Sequence, residues 1–249
     1  MPDGIGREFI KQTKYQFLGP SDQYMGLPQP PLELPYSEDA GILSLSSPAE
    51  ITTPAVELRQ AVEQRVSVRQ YTTDPLSMDE LSFLLWSTQG VKEVSGRPVT
   101  MRTVPSAGAR HAFETYLLVN RVTSMEPGLY RYLAIEHKLL PLSHTADLAD
   151  RLTHACWRQA MVKNSAVTFF WAAVTCRMAW RYGERGYRYL FLDAGHVCQN
   201  LYLAAEAVGC GVCAIAAFDD DLLNQTLDID GVEQFAVYVA TTGKKIPSK

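Results

Sequence analysis

The sequence predicts an α+β fold, and two sets of residues carry that prediction. Residues 113–120, 166–176, 211–218 and 235–240 are short runs dense in apolar and β-branched side chains, the composition of buried strands. Residues 77–90 and 189–208 instead repeat apolar side chains at helical spacing. At 249 residues and 47% apolar, the chain can bury a large core. One large domain is expected over 51–249, preceded by an extended, proline-rich arm over 1–50.

In the arm, Pro20, Pro28, Pro30, Pro31, Pro35 and Pro48 interrupt any regular element, while Tyr15, Phe17, Leu18, Tyr24 and Met25 supply scattered apolar anchors. A free arm has no use for those aromatics, so it is expected to lie against the body or against a second subunit. Disorder is the alternative. The N-terminus, Met1 to Lys14, lacks the continuous apolar segment of a secretory signal, so a cytoplasmic protein is expected. No run is long enough to span a bilayer. With 23 basic against 27 acidic residues, a net charge of −4 and no long charge runs, neither nucleic acid nor an anionic membrane is indicated. The expected ligand is small. Five irregularly spaced cysteines argue against a disulfide framework and fit a reducing compartment.

Thr53 can cap a helix with Pro54 in its first turn, and Ala55, Leu58 and Val62 share one face. If that helix ends near Arg65, residues 65, 67 and 69 point one way from an extended chain. Two guanidinium forks flanking a serine suit phosphate or a polarised carbonyl, although a solvated basic turn has the same composition. Ser77 to Glu80 is a capping box, and Leu81, Leu84, Leu85 and Thr88 continue the helix until Gly90. Residues 91–104 read as a loop. Pro105, Ser106, Ala107 and Gly108 then form a turn whose small side chains let backbone amides approach a flat ligand, or simply precede a strand.

Short strands are expected at 129–132 and 133–140, and a helix around Leu148, Leu152, Ala155 and Cys156. After the run 166–176, Arg177, Arg181, Arg185 and Arg188 interleave with Trp180, Tyr182, Tyr187 and Tyr189. In an acidic chain this reads as a lid or entrance loop and not as a nucleic-acid surface. The stripe Leu190, Ala194, Val197, Leu201, Ala204, Ala205 and Val208 is a central helix ended by Gly209 and Gly211. His196 and Cys198 with Cys210 and Cys213 offer a weak zinc or dithiol pattern, and no metal is expected. Asp219 caps a following helix.

Four segments taken together, Arg65-x-Ser67-x-Arg69, Pro105 to His111, Cys213 to Asp219 and Gly243 to Pro247, resemble in order the flavin-binding segments of the nitroreductase-like superfamily. More narrowly, Tyr182 to Tyr189 followed by Leu192 to Asn200 resembles the branch of thiazole- and oxazole-forming (azoline) dehydrogenases. The resemblance covers about residues 55 to 247. It implies a mixed or antiparallel central sheet flanked by helices, an obligate homodimer whose interface builds both active sites, and FMN as cofactor. Arg65, Arg69 and Lys245 would bind phosphate or the pyrimidine carbonyls. Ser67, Pro105, Ser106, Ala107 and Gly108 would border or orient the ring, and Ala214, Ala216 and Ala217 would face flavin N5. Position 109 is Ala where many nitroreductases carry Asn, and position 216 is Ala where several carry Glu. Arg181-Tyr182 stands where the azoline branch has a Lys-Tyr general acid/base pair, which leaves Tyr182 as the candidate proton donor.

Three functions fit that resemblance. The first passes hydride from NAD(P)H through the flavin to a small organic acceptor. The second is a flavin-dependent dehydrogenase of a peptide azoline or other heterocycle with dioxygen as acceptor. The third is a flavin-holding partner without turnover in a biosynthetic complex.

Overall fold

Eight consecutive buried residues, Val167–Val174, form the strand on which the rest is laid. Its side chains alternate between two cores: Phe169, Trp171 and Ala173 enter one, Phe170 and Ala172 the other. Such a strand reads as a continuous apolar run because both of its faces are covered. The computed structural model describes residues 4–37, 39–96 and 99–247. Its strands are β1 (Leu43–Ser44), β2 (Val91–Val94), β3 (Thr100–Arg102), β4 (Phe113–Val119), β5 (Gly128–Leu133), β6 (Lys138–Ser143), β7 (Val167–Val174), β8 (Cys210–Ile215) and β9 (Gln234–Lys244). Seven of them make one sheet in the order β1-β6-β5-β4-β7-β9-β8.

Every pairing in that sheet is antiparallel. Of the mixed and antiparallel alternatives, the antiparallel one holds, and among the described residues parallel contacts occur only as the isolated bridges Ser67 to Val212 and Leu76 to Val122. The 22-residue α7 (Gly186–Ala207) and α3 (Met78–Gln89) cover one face. On the other lie α4 (Leu148–Ala155), α5 (Met161–Asn164) and α8 (Asp220–Thr226). The capping box of α3 is formed, with the Glu80 amide donating to Ser77 Oγ at 3.1 Å and the Ser77 amide to Glu80 Oε2 at 2.9 Å. The Asp219 cap of α8 is formed as well.

Three expectations need correction. The helix placed after Thr53 and Pro54 is α2 (Leu58–Gln64), with Glu57 at its N-cap. Its buried residue is Ala61, while Leu58 and Val62 are 70% and 55% exposed. Only the turn that packs on α7 forms, because a short helix depends on tertiary contact. Residues 91–104 are not a loop: β2 and β3 pair as a small antiparallel hairpin, of which residues 97 and 98 lie outside the described residues. The segment read as a lid is helical, comprising α6 (Thr175–Tyr182), a 3-10 turn at Gly183–Arg185 and the start of α7. Cys210 and Cys213, the weak C-x-x-C pattern, belong to opposite cores because an odd spacing on a strand sends side chains to opposite faces.

The N-terminal segment, described from residue 4 except for residue 38, begins with α1 (Ile5–Gln12), continues through a 3-10 turn at Tyr15–Phe17 and a turn at residues 22–26, and is otherwise largely irregular up to β1. It lies against the body. Trp180 Nε1 donates to Leu27 O at 2.9 Å, Arg177 Nε to Pro31 O at 2.8 Å, and Arg131 to Leu34 O at 3.0 Å. Glu33 Oε2 accepts from the Ala134 amide at 2.6 Å, and the Leu34 amide donates to Glu114 Oε1 at 3.0 Å.

Candidate functional site

The chain leaves α2 at Arg65 and runs extended along the edge of β8, where the Val68 amide donates to Val212 O at 2.8 Å. This approach is possible because residue 211 is glycine: a Cβ there would sit 2.6 Å from the Val68 side chain. Tyr71 anchors the far end of the segment, its hydroxyl 2.7 Å from both Val68 O and Thr241 Oγ1, and burial pushes its ionisation well above the ordinary phenol range.

Arg65 and Ser67 turn toward the same side chain, Tyr202 on α7. The Arg65 guanidinium lies 5.2 Å from the ring centroid, and Ser67 Oγ is 3.1 Å from the hydroxyl. That hydroxyl also accepts from the Ala214 amide at 2.9 Å. Tyr202 therefore ties the Arg65 segment to the end of β8. One turn further along α7, Glu206 pairs with Lys245 at 2.5 Å, and Lys245 is bridged to Tyr71. Arg69 is exposed, near Tyr71 and Cys213. Among the described residues neither Arg65 nor Arg69 is paired with a carboxylate, whereas Lys245 is. Two unpaired guanidiniums beside a hydroxyl are a donor set suited to a phosphate or to ring carbonyls. Ala216 and Ala217 are exposed just past β8, and Ala217 O accepts from Gln159 Nε2 at 3.0 Å.

The segment 105–111 is held elsewhere on the same helix. Ser106 Oγ donates to Asp193 Oδ2 at 2.6 Å and accepts from the His111 amide at 2.9 Å, while the Ala107 amide faces both Asp193 oxygens at 3.3 Å. Burial raises the Asp193 carboxyl above its ordinary value, and the Ser106 hydroxyl opposes that. Gly108, Ala109 and His111 all have positive φ, at 58°, 53° and 42°. Consecutive left-handed residues persist only where surroundings impose them. Gly108 is pressed against Arg181 and Tyr182, so that a Cβ would lie 2.5 Å from the Tyr182 hydroxyl. Pro105 is exposed.

The expected site residues thus form two groups: Arg65, Ser67, Ala214 and Lys245 at the C-terminal half of α7, and Ser106, Ala107, Gly108 and Tyr182 at its N-terminal half. Asp193 and Tyr202 are nine residues apart, which is about 13 Å along the axis and about half a turn around it. The body of α7 stands between the two groups. Tyr202, Asp193 and Glu206 organise both groups and were missed as single residues. Their signal is a polar side chain inside a buried helical stretch, since burial of Asp and Glu calls for partners.

Among the described residues no helix is long and apolar enough to cross a membrane, and no three metal-ligating side chains converge. The profile of the nitroreductase family matches residues 62–244. A Methanocaldococcus jannaschii protein named as a nitroreductase is 32% identical over 79% of this chain and 97% of its own length. The trifolitoxin-processing protein TfxB of Rhizobium leguminosarum bv. trifolii is 28% identical over 62% of this chain and 44% of its own. Among solved structures, one named as a nitroreductase from Anabaena variabilis matches with a TM-score of 0.69 and 26% identity over 84% of this chain, which spans 42% of that one. A chain of the Escherichia coli microcin synthetase McbBCD complex shares the fold, with a TM-score of 0.62 and 17% identity over 98% and 92% of the two chains. The chain accordingly spans less than half the length of TfxB and of the Anabaena protein. With a family profile covering most of its sequence and an archaeal relative matched almost end to end, the chain belongs to the nitroreductase family of oxidoreductases.

Proposed function

We propose that the chain is an FMN-dependent oxidoreductase that works as a homodimer and passes hydride from NADH or NADPH to a small organic acceptor. The observation that carries this reading is the convergence of Arg65, Ser67 and the Ala214 amide on Tyr202, beside Arg69 and Lys245. FMN supplies two-electron chemistry at N5 when bound. Arg65 and Arg69 hold its phosphate or the pyrimidine carbonyls. Lys245 adds a cation at the same end, its charge moderated by Glu206. Ser67 orients the ring, and the amides at Ala216 and Ala217 face the reactive edge. Pro105, Ser106, Ala107 and Gly108 border the ring held by the other protomer, since within one protomer α7 separates the two groups. Tyr182 holds the proton delivered to the acceptor. The absence of a G-x-G-x-x-G segment means that a nicotinamide docks on the flavin without a domain of its own. Five free cysteines fit a reducing cytoplasm.

A second reading, a dehydrogenase of a peptide azoline with dioxygen as acceptor, is favoured by the match to TfxB and by the near end-to-end fold match to the microcin synthetase chain. Arg181 weighs against it, because a guanidinium does not give up its proton at neutral pH.

A visible spectrum of the purified protein, with the released cofactor identified by mass, tests both. Yellow protein bleached by NADH or NADPH supports the reductase, and yellow protein inert to both supports the dehydrogenase or a flavin-holding partner without turnover. Colourless protein that added FMN does not restore overturns both. Arg65→Gln should weaken FMN retention by about tenfold, the worth of one charge-assisted contact, measured by fluorescence of the released flavin.

A further inference from the structure

Four arginines lie in the aromatic-rich stretch 177–188, and three of them hold the N-terminal arm. Arg177 donates to Pro31 O, Arg185 to Thr13 O at 2.9 Å, and Arg188 to Thr13 Oγ1 at 2.6 Å and to Ile10 O. Arg185 also lies 4.2 Å over the Tyr15 ring and donates to the Tyr189 hydroxyl, which is 3.0 Å from the Tyr15 hydroxyl. Trp180 adds the bond to Leu27 O. Arg181 is the exception: it is exposed, and among the described residues it makes no hydrogen bond to the arm backbone.

Arg181 and Tyr182 instead form one wall of a cleft of about 380 Å³ whose other wall is the arm, with Tyr15, Leu18, Pro20 and Tyr24. Tyr24 is 84% exposed although nothing in solvent requires an aromatic there. Two of its lining residues, Arg181 and Tyr182, also stand beside Gly108, where an added Cβ would meet both side chains within 3 Å. Arg110, bonded to Gly108 O and stacked on Trp180, is close enough to Arg181 for the like charge to help lower its ionisation, after burial. Among the described residues neither guanidinium is paired with a carboxylate. The cleft therefore combines the aromatic side chains of Tyr24 and Tyr182 with one exposed guanidinium, Arg181, that has no carboxylate partner among the described residues.

We infer that this cleft, walled by the arm, is the acceptor site, and that its ligands are planar rings carrying a carboxylate. The inference rests on the proposed flavin-dependent reading, because it is segment 105–108 that would bring the cleft against the flavin. The aromatic walls stack the ring, Arg181 receives the anion, and the arm is built into the catalytic surface as a specificity element.

The test is calorimetric titration of the FMN-loaded, oxidised full-length protein with 4-nitrobenzoate and with its methyl ester, for wild type, Arg181→Gln, Tyr24→Ala and Tyr24→Phe. Visible spectra and melting temperatures are recorded on the same samples. Wild type should bind the acid about fivefold more tightly than the ester, the scale of one solvent-accessible ion pair. Arg181→Gln should erase that difference. Tyr24→Ala should weaken both ligands about threefold or more, the scale of a lost aromatic contact, and Tyr24→Phe should restore them. Yellow, folded variants that bind both ligands as wild type does would overturn the inference and leave the flavin reading intact. Equal binding of acid and ester by wild type overturns the anionic ligand class. A protein that takes up no FMN overturns the flavin reading itself, and this inference with it.

Discussion

Gly108 combines a φ of +58° with a neighbour, the Tyr182 hydroxyl, only 2.5 Å from where a Cβ would stand. Gly108→Ala meets both the strained backbone and the clash, so it should destabilise the protein by about 1–3 kcal/mol, read from the urea midpoint. A wild-type midpoint would show that the 105–111 turn is looser than its geometry. Glu33 makes a different case. It sits in the arm, desolvated and close to Glu114, and those two effects raise its carboxyl to about 7 although it accepts amide bonds from Ala134 and Ile135. A carboxyl raised on folding contributes stability that is present below its unfolded value and is lost as pH rises through the folded one. Buried His111, depressed to about 3 by burial and by Arg102 and Arg110, acts in the opposite sense, losing stability as pH falls below the ordinary histidine range. The two slopes overlap, so the readout is a difference. Glu33→Gln should gain stability relative to wild type as pH rises from 5 toward 7.5, and a constant difference across that range would refute the assignment.

At the scale of elements, α3 is specified almost entirely by its own residues. Its capping box satisfies two terminal amides, and Leu81, Leu84, Leu85 and Thr88 are all buried. Ser77→Ala should cost about 1 kcal/mol in urea unfolding without altering flavin content. Helix α7 is specified differently. Its apolar stripe was legible, and so was its end at Gly209. Its start was not: it begins at Gly186 after a 3-10 turn, in a stretch whose arginines and tyrosines suggested a loop. Arg177, Arg185, Arg188 and Tyr189 add no apolar stripe there because they face the arm, which is a tertiary partner. The hairpin of β2 and β3 leaves no mark in the sequence for a related reason. A four-residue strand with two central charges and three exposed positions has no alternating pattern to read.

For the whole molecule, a shared site predicts that flavin retention and dimerisation fall together. Sedimentation at decreasing concentration should show FMN absorbance leaving the protein fraction as the dimer dissociates. A monomer that keeps its flavin would confine the site to one protomer and break the proposed pairing. The sequence by itself determined the class of fold, most of the strands and long helices, and the residue types at Arg65, Ser67, Arg69 and Pro105 to Gly108, because strand and helix periodicity and small-residue turns are local properties. Only the tertiary structure decided that the sheet is antiparallel throughout, that Cys210 and Cys213 face different cores, and that Arg177, Arg185 and Arg188 hold the arm while Arg181 is exposed. It also decided that Tyr202 and Asp193 gather the two halves of the site on opposite sides of α7. The physical reason is common to all of these: each depends on which distant backbone or charge stands opposite a side chain, and spacing along a chain carries no record of that.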